Sequence, residues 1–161
     1  MTKLKSAIDK ILITVSSSLL VMMVSLSIWQ VLARYVFNIS SPGTEELTRH
    51  LLIWFGLLTA AYVFGVKKHI GILFFREKFN RKVQRAFEKV SDLIILGIAS
   101  TLMVYGGLKI VLLTSAQTAA ATGISMAWVY AALPTSGLFI IIYTIISLMS
   151  KDTKETEEVN G

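Results

Sequence analysis

The chain has 161 residues, 54% hydrophobic and only 16% charged, with sixteen lysines and arginines against ten acidic residues for a net charge of +6. A mean hydropathy of +0.67 exceeds what a soluble domain needs to fill its core and places the chain among integral membrane proteins. Cysteine is absent, which excludes disulfides and thiolate metal sites, and too little chain lies between the apolar runs for a soluble domain.

In chain order, the first expected span is 11–33, an apolar run of 23 residues. It is well beyond the roughly 7–15 residues of a signal-peptide core, and Arg34 would directly follow a cut after Val31-Leu32-Ala33, so the segment is expected to remain as a helix. Ser18 and Ser25 sit on one side of it. RYVFNISSPG then leads to a second span at 45–66, opened by Glu45 and Glu46 and closed by KKHIGI. Its Gly56-x-x-x-Ala60 and Ala61-x-x-x-Gly65 stripes allow close helix approach.

Between the second and third spans, Phe75, Phe79, Val83, Phe87 and Val90 recur every three to four positions among Arg76, Lys78, Arg81, Lys82, Arg85 and Lys89. That pattern predicts a basic amphipathic helix over about 72–89, lying at the lipid interface with its cations toward anionic headgroups. The third span is expected at 91–113, with small residues at Gly97, Thr101, Gly106 and Gly107. The fourth is expected at 127–149, as one helix bent at Pro134. Spans of 20 or more residues at 1.5 Å rise cover about 30 Å of hydrocarbon. No run alternates with period two, so the fold class is an all-α membrane protein with four transmembrane helices and one interfacial helix.

Lysine and arginine set the orientation. Lys3, Lys5 and Lys10, the eight basic residues from Lys67 to Lys89, and Lys151 and Lys154 all fall on one side, while Arg34, Arg49 and Lys109 belong to the other. The positive-inside rule puts both termini and the middle connection in the cytoplasm. The basic pI follows from this topology and gives no reason to invoke nucleic acid.

The same orientation gathers an outer layer of ionisable groups. Arg34 ends the first span and Glu45, Glu46, Arg49 and His50 open the second. Lys109 lies about 25 Å up the third from Asp92, at a similar depth. Helical spacing allows Glu45 with Arg49 and Glu46 with His50 at i,i+4, and Glu46 with Arg49 at i,i+3. Charges beside hydrocarbon are costly, and three roles fit them: pairing and snorkelling at helix ends, docking another subunit, or an ion site of this chain. The last fits poorly, because the carboxylates lie at a span end and not near the midplane. His50 and His69 stand near opposite ends of one helix and cannot share a metal or haem. No phosphate loop, metal-ligand cluster or activated nucleophile is present in the sequence, so neither an enzyme nor a bound cofactor is expected.

RYVFN at 34–38, EEL at 45–47, IWFGLLTAA at 53–61, KKHIGI at 67–72 and the Trp128-to-Pro134 spacing together resemble the small membrane subunit of TRAP transporters, the DctQ-like family. The chain differs in having Pro42-Gly43-Thr44 where such proteins often carry a tryptophan before the paired glutamates. The resemblance implies a bacterial inner-membrane subunit in a tripartite system. In such a system a periplasmic binding protein captures an organic acid, and a large multispanning subunit carries it by an elevator motion driven by a sodium gradient. The small subunit extends the fixed scaffold. Arg34, Glu45, Glu46 and Arg49 would then order the outer end and meet partners, with Trp29 and Trp54 as interfacial or packing aromatics. A self-sufficient proton-coupled exporter and a membrane anchor of an enzyme complex are the alternatives. The first would call for an acidic residue deep in a helix, the second for paired histidines at one depth.

Overall fold

In the computed structural model of the chain, residues 2–67 and 81–159 are described. Among them the regular elements are all helices. α1 is Thr2–Tyr35 and α2 is Pro42–Lys67. α3 runs over Arg81–Ile98, continues as a π-helical segment over Ala99–Gly106 and resumes as α4 over Gly107–Leu113. α5 is Met126–Tyr130 and α6 is Ala132–Val159. Four stretches are long and apolar enough to cross a bilayer: Lys3–Tyr35, Pro42–Val66, Lys89–Leu113 and Met126–Met149.

The first helix starts well before residue 11 because nothing in the first 35 residues breaks it: neither glycine nor proline occurs there. It stops at the connection. Asn38 takes a left-handed conformation (φ 52°), which a short polar side chain tolerates, and the Ile39 N–H turns back to the Ala33 carbonyl at 2.9 Å. α2 opens on Pro42, whose missing N–H costs nothing at a first helical position. Thr44 Oγ1 donates within 2.9 Å of both Ser41 O and Ser41 Oγ. The asparagine of RYVFN and the proline of SPG thus set where one helix ends and the next begins.

Residues 72–80, which include Arg76 and Lys78, lie outside the described residues. From Arg81 the backbone is helical and runs unbroken into the third span. The second half of the expected interfacial element is therefore continuous with that span and does not form a separate helix.

α6 is the centre of the bundle. A third of the most apolar window of its span (33%) is buried, against 11% for the first span. It packs against α2 on one side and the π segment on another, while α1 packs along α2. Ile8, Leu12, Leu58 and Tyr143 form the buried core, with Leu19, Trp54, Tyr62 and Phe139 against it. Much of the rest of the apolar surface, including Leu20, Val24, Ile28, Leu102 and Leu112, is exposed, as lipid-facing side chains must be. Ser18 and Ser25 face outward too, and their hydroxyls donate to the Thr14 and Val21 carbonyls of their own helix. They serve the backbone and not a helix contact.

The helices meet closely where glycine permits it. A Cβ at Gly137 would lie 2.7 Å from Met103 Cβ, one at Gly107 2.8 Å from Pro134 Cδ, and one at Gly65 2.6 Å from the Tyr143 ring. Gly56 and Gly97 have nothing within 4 Å, so those expected stripes are not contacts within this chain. The π segment was not legible in the sequence. It keeps helical dihedrals at both joins, and it begins two residues after Gly97, whose carbonyl accepts the Thr101 hydroxyl at 2.6 Å. Such a side-chain bond competes with the backbone ladder.

The fourth span is a single crossing with a fault. Pro134 has no N–H to give the Tyr130 carbonyl and its ring crowds that residue. The helical pattern lapses at Ala131, between α5 and α6. Where a helix bent at the proline was expected, the structure shows a lapse in the helical pattern three residues upstream of it.

Candidate functional site at the connector end

The connections at 36–41 and 114–125 share one end of the bundle, opposite the chain termini. The second of these is a compact loop. Ala119 N–H reaches Ile124 O at 2.8 Å, Gly123 N–H reaches Ala119 O at 2.9 Å, and Met126 N–H reaches Gln117 O at 2.9 Å. An isolated antiparallel bridge joins Thr118 to Ser125. Gly123 closes the turn with φ 70°, a conformation that costs glycine nothing. The N–H groups of Ala120, Ala121 and Thr122 are left pointing one way, as at the start of a helical turn, and form an anion-binding nest.

Glu46 fills that nest. Its Oε1 accepts from Ala120 N–H at 3.1 Å, and its Oε2 accepts from Ala121 N–H at 2.9 Å, Thr122 N–H at 2.7 Å and Thr122 Oγ1 at 2.9 Å. An ionised carboxylate is acceptor-only, and four donors converge on this one, three of them at Oε2. The loop stands over the start of α2, with Ala121 O and Thr122 Cγ2 each 3.9 Å from a Cβ built at Gly43, one turn before Glu46. Further along α2, Trp54 meets Trp128 of α5 with ring centroids 5.3 Å apart. α1 is tied in by Gln30, whose Nε2 donates to Thr44 O at 3.0 Å and Thr48 Oγ1 at 2.8 Å.

The structure therefore divides the expected charged layer. Glu46 turns away from Arg49 and His50 to hold a loop more than 70 residues later in the chain. His50 is half-buried beside it, with Nδ1 buried and lacking a hydrogen-bond partner. Arg34, Glu45, Arg49 and Lys109 are exposed. Among the described residues none of the four makes an ion pair within the chain. Lys109 sits on α4, which packs against α5 and the π segment, so it is joined to the Glu46 face through α5 and not by direct contact. What remains outward is three cations and one carboxylate on a surface whose backbone Glu46 and Gln30 hold in place. Such an arrangement can recognise a partner electrostatically; it contains no group placed for bond-making chemistry. Among the described residues no three His, Cys, Asp or Glu side chains are grouped to hold a metal.

The profile of the DctQ component of tripartite ATP-independent periplasmic transporters matches residues 23–153. The chain belongs to that family. It is therefore a multi-pass membrane protein of a TRAP transporter, a family of transporters and not of enzymes. Two Haemophilus influenzae proteins described as putative TRAP transporter small permease proteins are similar to it. One is 28% identical over 162 residues, covering 97% of this chain and 93% of that protein. The other is 27% identical over 150 residues, covering 93% and 92%. The sialic acid TRAP transporter small permease protein SiaQ of Vibrio cholerae is 27% identical over 143 residues, covering 86% of this chain and 79% of its own.

Several residues that build this end escaped sequence reading. Gln30 is a polar group inside a hydrocarbon-length run and could have been singled out on that ground. Thr122-Gly123 is a turn signal. That three amides before it would receive Glu46 is a tertiary fact with no local signature.

Proposed function

We propose that this chain is the small membrane subunit of a tripartite, sodium-driven, binding-protein-dependent transporter for an organic acid, of which the sialic acid named for the Vibrio cholerae relative is one example. It resides in the bacterial inner membrane with both termini cytoplasmic. It associates with a large multispanning subunit that carries the substrate and extends that subunit's scaffold, and its connector end faces a periplasmic substrate-binding protein. The basic residues 67–89 face the cytoplasmic leaflet, where Arg76, Lys78, Arg81, Lys82, Arg85 and Lys89 meet anionic headgroups.

The observation that carries the reading is the division of charge at the connector end. Glu46 is committed to the loop backbone through four hydrogen bonds, while Arg34, Glu45, Arg49 and Lys109 stay exposed on the surface so formed. A set of self-satisfying helix-end charges would pair internally, whereas a docking layer keeps its charges available. The family match and the lysine and arginine asymmetry support the assembly and the orientation.

Affinity-tagged chain extracted in mild detergent should bring down a large multispanning protein. Recovery of a homo-oligomer alone, with its own substrate-dependent proton flux in vesicles, would overturn the reading. Arg49→Ala and Arg34→Ala should lower binding of the periplasmic protein, or uptake by the reconstituted complex, with the deficit against wild type largest at low salt and shrinking as salt screens the remaining charges. Wild-type behaviour of both would reduce the layer to snorkelling helix ends.

A further inference from the structure

At the end of the bundle opposite the loops, α1 and α6 are joined by a contact that crosses a third helix. Tyr143 of α6 is 2% exposed, and its hydroxyl donates to Asp9 Oδ1 of α1. The ring reaches α1 by passing α2 at Gly65, where a Cβ would lie 2.6 Å from two ring carbons and 2.7 Å from a third. Only a residue without a side chain leaves that passage open. Around it, Ile8 and Leu12 of α1 and Leu58 of α2 complete the buried cluster. One turn further along α6, Ser147 Oγ donates to Asp92 of α3 at 3.3 Å, and Asp92 is 4% exposed. Two hydroxyls at i,i+4 on α6 thus each engage a carboxylate on a different helix.

We infer that Tyr143 is a through-bundle strut, passing α2 at Gly65 to hold the N-terminal half of α1 by Asp9 and so fixing the angle of α1 to α6. α1 needs such a device. It packs along α2, and most of its length is exposed, including Leu4, Ile11, Ile13, Leu20 and Val24. A helix held mainly along one neighbour can pivot about the line of contact, and a second tie, off that line, removes the freedom. The bond suits the task because its acceptor is a carboxylate, and a hydroxyl donating to an ionised group makes the stronger class of hydrogen bond. The inference concerns this chain alone and stands or falls independently of the proposed assembly.

The sequence contains no cysteine, so Leu4→Cys and Ile145→Cys place two nitroxide labels and no others on the full chain in lipid nanodiscs. Double electron–electron resonance should give one narrow distance distribution. Tyr143→Phe keeps the ring in its passage and removes only the donor; it should at least double the width, and Asp9→Ala should do the same. Asp9→Asn retains an amide oxygen that accepts from the hydroxyl and should stay narrow, and Ser147→Ala should leave this distance unchanged. A Tyr143→Phe distribution superimposable on the parent would overturn the inference. So would an Asp9→Asn distribution as broad as that of Asp9→Ala, because the effect would then belong to the charge and not to the bond.

Discussion

Replacing Gly137 with alanine puts a methyl group 2.7 Å from Met103 Cβ, 3.2 Å from Val104 Cγ2 and 3.5 Å from the Ala99 carbonyl oxygen. Carbon atoms rest at about 3.5–4.0 Å, so the nearest contact is short by about 1 Å. Met103 Cβ is fixed to its backbone and cannot rotate aside; α6 and the π segment must separate instead. Overpacking of this kind costs about 1–3 kcal/mol, while replacing glycine by alanine within a helix returns up to about 1 kcal/mol. The control is Gly97→Ala, two residues before the π segment, where nothing lies within 4 Å and only the return applies. The two variants should therefore differ by about 1–3 kcal/mol. For a chain of this size each kcal/mol moves the midpoint by about 2–4 °C. Thermal unfolding followed by far-ultraviolet circular dichroism in one detergent measures the difference directly. Equal midpoints for the two variants would refute the close approach of α6 to the π segment.

Glu46→Ala removes the acceptor of three consecutive amides, so hydrogen exchange at Ala120, Ala121 and Thr122 should speed up by about an order of magnitude, with exchange across α6 unchanged. Glu46→Gln should give an intermediate rate, since one carboxamide oxygen cannot serve both acceptor positions. Equal protection in Glu46→Ala and wild type would mean the loop holds itself. Gln30→Leu loses two interhelical hydrogen bonds, each worth about 0.6–1.7 kcal/mol in a membrane, and should lower the unfolding midpoint without altering the loop amides. A change in loop exchange in that variant would show that α1 and the loop form one cooperative unit. Gly123→Val forces a β-branched residue to φ 70°, an outlier conformation. It should raise exchange at the same amides as Glu46→Ala, and unchanged exchange would place the turn elsewhere.

The spans were legible because the membrane imposes length: four apolar runs of about the right size can be read without knowing what they touch. The break near Pro134 was legible for a covalent reason, the missing N–H. What the sequence concealed were facts about pairs of residues. Helical spacing offered Glu46 the neighbours Arg49 and His50, yet three aligned amides satisfy a carboxylate better than one mobile side chain does, and those amides exist only once the 114–125 loop is folded. The π segment was equally hidden, since hydrophobic periodicity distinguishes helix from strand but barely separates one helical register from another. Small-residue stripes marked possible close contacts. Gly65 and Gly107 proved to be such contacts and Gly56 and Gly97 did not, because the stripe describes one surface and the contact needs two. Nothing near Asp9 in the sequence marks its role, because its partner on α6 is 134 residues away.

The glycines at Gly65, Gly107 and Gly137 each face a bulky group on another helix, respectively Tyr143, Pro134 and Met103. The volume at each crossing is thus shared unequally between two positions far apart in the chain, and only their sum is constrained. Across relatives that keep this bundle, a side chain gained at 65 should accompany a smaller residue at 143 and one gained at 107 the loss of proline at 134, whereas one gained at 137 needs glycine at 103, because the contact there is with the Met103 Cβ itself. Substitutions at these six positions should therefore be inherited in pairs, so that a residue harmful in this background is harmless in a relative already carrying its counterpart.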